Sequence, residues 1–189
     1  MSFKTPIGFI SGQRRTGVGV SGVPYFPHPN INNGYGTFAW TADLIKCAPF
    51  LCPRRLTLSG IAIRVTTIGT ATLARLGIYK DNGNFQPGAL LADFGTVDVT
   101  TTGLKEISGL SQQLEANRLY WTASWYNGGV TLNVNIPSNI VNCLGMDPVT
   151  IQQGVSEFQV ATAFGVFPNP ITPGGVYNTG GTRIVFLRF

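Results

Sequence analysis

The segment LARLGIYKDNGNFQPGALLADFGTV, residues 73–97, places apolar side chains at every second position before Asp81 and resumes an apolar run after Gly88. Ala74, Leu76 and Ile78 share one parity, which is the period of a half-buried strand and not of a helix. Asp81-Asn82-Gly83-Asn84 interrupts the pattern with residues that tolerate positive φ, as a tight turn between antiparallel strands requires. Gln86-Pro87-Gly88 reads as a second turn, with proline fixing φ ahead of glycine. A calcium loop is the competing reading of DNGN. Such a loop needs several oxygen ligands at defined spacing, and no later glutamate falls at the right interval. The turn is therefore preferred, and no metal or cofactor is expected.

The same punctuation recurs along the chain. LTLSGIAIRVTT carries Leu56 and Leu58 on one parity and Ile61, Ile63 and Val65 on the other. A bulge at Ser59-Gly60 returns both halves to one face. Leu119, Trp121, Ala123 and Trp125 alternate with Tyr120, Thr122, Ser124 and Tyr126. The first set reads as core, the second as a face for a neighbouring subunit or a glycan. Asn127-Gly128-Gly129 turns the chain, and Val130, Leu132 and Val134 return it. LKEI, EFQVATAF and RIVFLRF are further strand segments. PSNIVNCLG suits one helical turn, capped by Ser138 and stopped by Gly145. GVFPNPITPGGVYNTGG is a Pro/Gly loop long enough to carry function. About eight strands at this spacing point to an all-β chain, an antiparallel β-sandwich of jelly-roll type. Charged residues make up only 11% of the 189 residues, and there are 24 glycines and 12 prolines, which fits short strands and turns better than helices. So little charge also implies that neighbours cover much of the surface.

Residues 1–46 read differently. Phe3, Phe9, Tyr25, Phe26, Tyr35, Phe38 and Trp40 lie among Gly, Pro and Asn without a sustained period. Side chains of this kind favour burial, yet the segment has no fold of its own, so an extended N-terminal arm lying on another surface fits both facts. The alternative is a long ordered segment packed on its own domain. The domain expectation is an arm over 1–46 and a sandwich over 47–189.

The net charge of +5 is concentrated in the same region. Lys4, Arg14, Arg15, Lys46, Arg54 and Arg55 face only Asp43 in the first 55 residues, while the remainder balances. An acidic protein surface suits six cations without a lysine-rich run, and nucleic acid is the weaker partner. No apolar run reaches the length of a membrane span, and MSFKTPIGFISGQRR lacks an apolar signal core, so no membrane is expected. The odd set Cys47, Cys52 and Cys143 makes neither a disulfide framework nor a zinc site and reads as buried thiols. The single histidine, His28, stands between Pro27 and Pro29 with no G-x-S-x-G elbow elsewhere, a poor base for a triad. The acids Asp43, Asp81, Asp93, Asp98, Glu106, Glu115, Asp147 and Glu157 fall mostly near turns or on polar parity and read as solvated faces, not a glycosidase pair. No enzyme is expected.

APFLCPRRLTLSGIAIRVTTIGTATLARLGIYKDNGNFQPGALLADFGTVDVTTTGLKEI, followed by NRLYWTASW, resembles a β-sandwich module of tailed-bacteriophage virion proteins, including head-decoration and tail-fibre proteins of cyanophages and other phages. RLGIYKDNG, QPGALLADFGTV, TTGLKEI and LYW carry the resemblance, which runs from about residue 48 to 134. It implies a jelly-roll-like sandwich, frequently trimeric, that binds and does not catalyse. The expected function is then a virion structural protein, a capsid cement or decoration subunit assembled in the host cytoplasm. Its partner is the major capsid protein or another virion subunit, and its state a homo-oligomer, with a trimer preferred. Arg14, Arg15, Tyr25, Phe26, Tyr35, Trp40, Arg54 and Arg55 are the expected partner-binding residues. The alternative is a tail-fibre or baseplate protein that recognises a host glycan. A cellular carbohydrate-binding module is a third reading.

Overall fold

A computed structural model describes residues 25–26, 35–52, 54–135, 157–171, 173–178 and 182–189. Two short strands and a long one come first: β1 (Tyr25–Phe26), β2 (Tyr35–Trp40) and β3 (Leu44–Cys52). The middle of the chain holds β4 (Leu56–Thr67), β5 (Leu73–Asp81), β6 (Pro87–Asp98), β7 (Gly103–Leu114), β8 (Arg118–Tyr126) and β9 (Val130–Asn135). β10 (Glu157–Ala161), β11 (Val176–Asn178), β12 (Thr182–Arg183) and β13 (Phe186–Arg188) complete the described strands.

The pairings are nested. β5 pairs with β6, β4 with β7, β3 with β8 and β2 with β9, all antiparallel. Successive pairs alternate between two sheets. β2, β9, β4 and β7 lie in order in one, with β4 and β9 meeting at Val65 and Leu132. β3, β8, β5 and β6 lie in order in the other. A hairpin of four nested pairs wrapped across two sheets is the jelly-roll arrangement, so the all-β sandwich expected from the sequence is the fold observed. β10 and β11 extend the second sheet beyond β3. β13 pairs with β4, β12 with β9, and β1 adds to the free side of β13.

The bulge at Ser59-Gly60 is present. The β4–β7 register shifts between Leu58 and Gly60, and Leu58, Ile61, Ile63 and Val65 all face the core between the sheets. Ala74, Leu76 and Ile78 of β5 face it from the other side. β7 extends well beyond LKEI. Gln86-Pro87-Gly88 is not a separate turn, because Pro87 already begins β6 opposite Asp81.

β8 reverses the faces expected of it. Tyr120 and Tyr126 lie in the core between the sheets, where the Tyr126 hydroxyl meets Ser124 Oγ at 3.0 Å. Trp121, Ala123 and Trp125 point to the outer side of their sheet and are buried there in a second core. The tyrosines are therefore not a face for a glycan or a neighbour. The lid of the second core is the Pro/Gly loop, which supplies Phe167 and Ile171. A row of small residues makes room for it: a Cβ on Gly77 would come within 2.8 Å of the Phe167 ring. Phe167 then stacks on Trp125 at 5.8 Å and meets Tyr79 edge-on at 5.9 Å.

Sheet side chains fix the loop's backbone. Arg75 Nη1 donates to the Gly165 carbonyl at 2.8 Å, the Tyr79 hydroxyl to that of Pro168 at 2.8 Å, and Asn169 Oδ1 accepts from the Leu90 amide at 2.9 Å. Burial raises the Tyr79 phenol well above its ordinary pKa, so it remains a donor. The loop thus has a packing role. PSNIVNCLG, with Cys143, lies outside the described residues.

Residues 35–46 are not an arm. Every residue of β2 is in register with β9, from Tyr35 opposite Asn135 to Trp40 opposite Val130, and Leu44 and Ile45 pair with β10. The nested pairs therefore begin at Tyr35, and for this part of the segment the alternative of packing on its own domain holds.

Candidate partner-binding surface

Trp40 is the partner-binding expectation that geometry corrects. It sits on the inward parity of β2 and retains 4% of its surface, in the core with Val130 and Leu132. Phe38 packs against it at 5.0 Å, and the Lys46 ammonium stands 3.9 Å from its ring. A side chain so enclosed anchors its own sandwich and has no surface to offer a partner. Tyr25 and Phe26 form a two-residue backbone ladder with Arg188 and Leu187, and Tyr35 opens β2. Arg14, Arg15 and His28 lie outside the described residues.

Arg54 and Arg55 are exposed, as a partner surface requires. They link β3 to β4 at one end of the sandwich. Arg55 Nη2 donates to Gln113 Oε1 at 2.7 Å and lies 3.5 Å from Glu115 Oε1. With both side chains mostly in water, that ion pair holds the guanidinium only loosely. Arg54 contributes its carbonyl, which accepts from Cys52 Sγ at 2.9 Å. Burial raises the Cys52 thiol above its ordinary pKa, which keeps it protonated and unreactive. Cys47 is likewise a buried thiol, so both read correctly from the sequence.

The structure brings one more cation to this end. Arg118 opens β8 directly opposite Cys52 and is exposed. Leu51, opposite Leu119, leaves 51% of its surface in solvent. Sequence reasoning missed Arg118 because its neighbourhood is set by the β3–β8 pairing, and no local signal places residue 118 beside residue 54.

The acids divide differently from the expectation of solvated faces. Glu157 is fully buried and pairs with Lys46 at 2.9 Å, while Asn178 Nδ2 approaches the same oxygen at 3.3 Å. Asp93 takes both its oxygens to Arg75 Nε, at 3.0 and 2.9 Å. Asp98 is exposed, and hydrogen bonds from the Thr100 hydroxyl and amide lower its pKa.

DNGN is a hairpin turn. The Asp81 oxygens are spoken for: Oδ1 accepts from Trp121 Nε1 at 2.9 Å and Oδ2 from the Gly83 amide at 2.7 Å. Asn82 Oδ1 accepts from the Asn84 amide at 2.8 Å, and the Asn82 amide closes the turn on the Gln86 carbonyl. Gly83 holds φ of 92°. Gly83→Val is expected to cost about 1–2 kcal/mol, since a β-branched residue resists that backbone. EDTA is expected to leave the melting temperature of the native chain unchanged. A fall of many degrees with EDTA that calcium restores would identify a bound ion instead.

Near this turn two aromatics are open to solvent. The Tyr177 hydroxyl donates to the Phe85 carbonyl at 2.8 Å, and the side chains are 40% and 56% exposed. Comparison of the chain with protein-family models gives no match, and comparison with curated proteins gives none.

Proposed function

We propose that this chain is a non-enzymatic structural protein of a tailed-phage virion, a cement or decoration subunit that grips the head shell through its N-terminal segment. The observation that carries the reading is where the nested pairs begin. Its outermost nested pair is closed by Tyr35–Trp40, so none of the four pairs uses anything upstream of Tyr35. That upstream segment carries Lys4, Arg14 and Arg15 without a single carboxylate, together with Phe3, Phe9, Tyr25 and Phe26. A segment with that composition is fitted to lie on an acidic, partly apolar surface. The major capsid protein offers the repeating surface such a subunit needs. A homotrimer is the preferred assembly, in keeping with the resemblance and the scarcity of charge.

The partner-binding set shifts accordingly. Arg14, Arg15, Tyr25, Phe26 and Tyr35 remain in it, as do Arg54 and Arg55, and Trp40 leaves it. Each aromatic the shell buries contributes roughly 1.5–3 kcal/mol, against at most about 1 kcal/mol for an exposed ion pair, so the aromatics hold and the cations guide.

The test is co-sedimentation with heads that lack the protein. A chain without residues 1–24 is expected to stay folded and to lose at least about tenfold in head affinity, the equivalent of losing one buried aromatic. Equal binding by the truncated and full chains rules out the clamp. A second reading, a receptor-binding protein of the tail fibre or baseplate, draws on Phe85 and Tyr177. Two exposed aromatics beside the amides of Asn82 and Asn84 make a platform of the kind sugars stack on. Glycan binding lost on Tyr177→Ala, with no head binding, favours that reading.

A further inference from the structure

An amine, a carboxylate and a carboxamide meet where β3, β10 and β11 run side by side. Lys46 Nζ stands 2.9 Å from Glu157 Oε1, and Asn178 Nδ2 donates to the same oxygen at 3.3 Å. Each group comes from a different strand. Glu157 lies directly opposite Asn178 on the β10–β11 ladder. Lys46 lies opposite Gln159 on the β3–β10 ladder, and its side chain reaches along β10 to Glu157. The surroundings are dry. Glu157 is fully buried, Lys46 keeps 6% of its surface, and the Trp40 ring stands 3.9 Å from the ammonium. The amine and the carboxamide are therefore separated by a single shared oxygen, away from water. Dehydration of Lys46 is compensated by Glu157 alone, so the ion pair by itself does not call for a carboxamide on that oxygen.

We propose that this cluster forms an intramolecular amide bond between Lys46 and Asn178, with Glu157 as its proton relay. Glu157 first takes a proton from the Lys46 ammonium and leaves a neutral amine. In an interior of low polarity that exchange costs less than in water, because it removes two opposite charges at once. Lys46 Nζ then attacks Asn178 Cγ to give a tetrahedral adduct. The adduct's Nζ passes its surplus proton to Glu157 while Glu157 gives its own to Nδ2, the atom it already touches. The Cγ–Nδ2 bond breaks, ammonia leaves, and the Nζ–Cγ amide remains. Ammonia carries off the proton left on Glu157, which restores the carboxylate, and no oxidant or reductant is needed. Fixed positions on three paired strands supply the effective concentration that lets an unactivated carboxamide react. The product ties β3 to β11 across β10. β11 is a three-residue edge strand, so it has few ladder bonds of its own. The bond also closes a loop that holds most of the chain, which restrains the unfolded state more than a short loop would. None of this depends on what the protein binds.

The test is the mass of the folded full chain, read intact under denaturing conditions. The chain is expected to be lighter than its sequence by one ammonia, and proteolysis is expected to release a branched peptide that joins Lys46 to Asn178. Lys46→Arg, which keeps a cation beside Glu157, and Asn178→Ala are each expected to show the full mass. Glu157→Gln is expected to slow bond formation at least about a hundredfold, as loss of the proton relay requires. The linked chain is expected to melt about 10–20 °C above Asn178→Ala. Asn178→Ala keeps the ion pair without the bond, so substitutions of Lys46 and Glu157 made in that background report the ion pair alone. Full mass in a folded native chain overturns the proposal. So does a branch at Gln159, the residue opposite Lys46. So does an ammonia loss that persists in Asn178→Ala, because a succinimide at Asn82-Gly83 releases the same ammonia.

Discussion

Removal of residues 1–46 is expected to leave a chain that does not fold, whereas removal of residues 1–24 leaves a sandwich that melts cooperatively. The longer deletion takes all of β2 and the first residues of β3. It strips the six-residue ladder from β9 and exposes that strand's edge. It removes Trp40 and Ile45 from the two cores and Lys46 from beside the buried Glu157. Truncation of one large core side chain costs about 2–5 kcal/mol, and a buried charge without its counter-ion costs several more. Together these losses approach or exceed the roughly 5–15 kcal/mol that holds a domain folded. The shorter deletion removes nothing from the four nested pairs. Circular dichroism melts of the two fragments decide the matter. A fragment 47–189 that melts cooperatively within a few degrees of the full chain would falsify the assignment of β2 to the sandwich.

The second large effect concerns Lys46 and Glu157. The pair lies on the inward face where β3, β10 and β11 run side by side, and Trp40 covers the ammonium. Lys46→Met removes the cation and keeps most of the volume. It is expected to destabilise by about 3–5 kcal/mol, because a carboxylate then stays buried without the charge that compensated its dehydration. In a chain of this size that is a fall of roughly 6–20 °C in melting temperature. The double variant Lys46→Met/Glu157→Leu is expected to recover most of the loss, since two apolar side chains need no compensation. If Lys46→Met melts as the native chain does, or if the double variant is worse than the single one, the pair is not the buried couple described here.

The parts of the fold legible in the sequence are those whose information is local. The β5–β6 hairpin was readable because its turn residues and both its strands lie within one short window. The Ser59-Gly60 bulge was readable because it shows as a parity switch inside one strand. What escaped depends on partners distant along the chain. β2 carries Gly36, Thr37 and Ala39 between its aromatics, so it has little alternation of its own. Only β9, far downstream, makes it a strand. β8 gave its two faces correctly but not which was inner, because a period of two says nothing about what covers each side. The loop carrying Phe167 and Ile171 made the outer face as dry as the inner one. Lys46 and Glu157 looked like ordinary surface charges for the same reason. Their burial is a property of three adjacent strands and not of either residue's neighbours. Of the candidate binding residues, Arg54 and Arg55 stood out as a charged dipeptide at a strand boundary. Arg118 needed the β3–β8 register to join them.

The nested wrapping also imposes an order in time. The innermost pair, β5 with β6, spans a few turn residues, and its closure costs the least chain entropy. Each pair outside it encloses everything within, up to Trp40 opposite Val130. The ribosome delivers the strands in the opposite sense at the amino end. Of the nested strands β2 is made first, but it has no partner until β9 has been synthesised, well past the middle of the chain. Among the strands of the nested pairs, β2 therefore waits longest for its partner. A sandwich built this way closes its outermost nested pair by drawing in the earliest-made strand of the four pairs. β1 is fastened later still, when β13 arrives to pair with both β1 and β4.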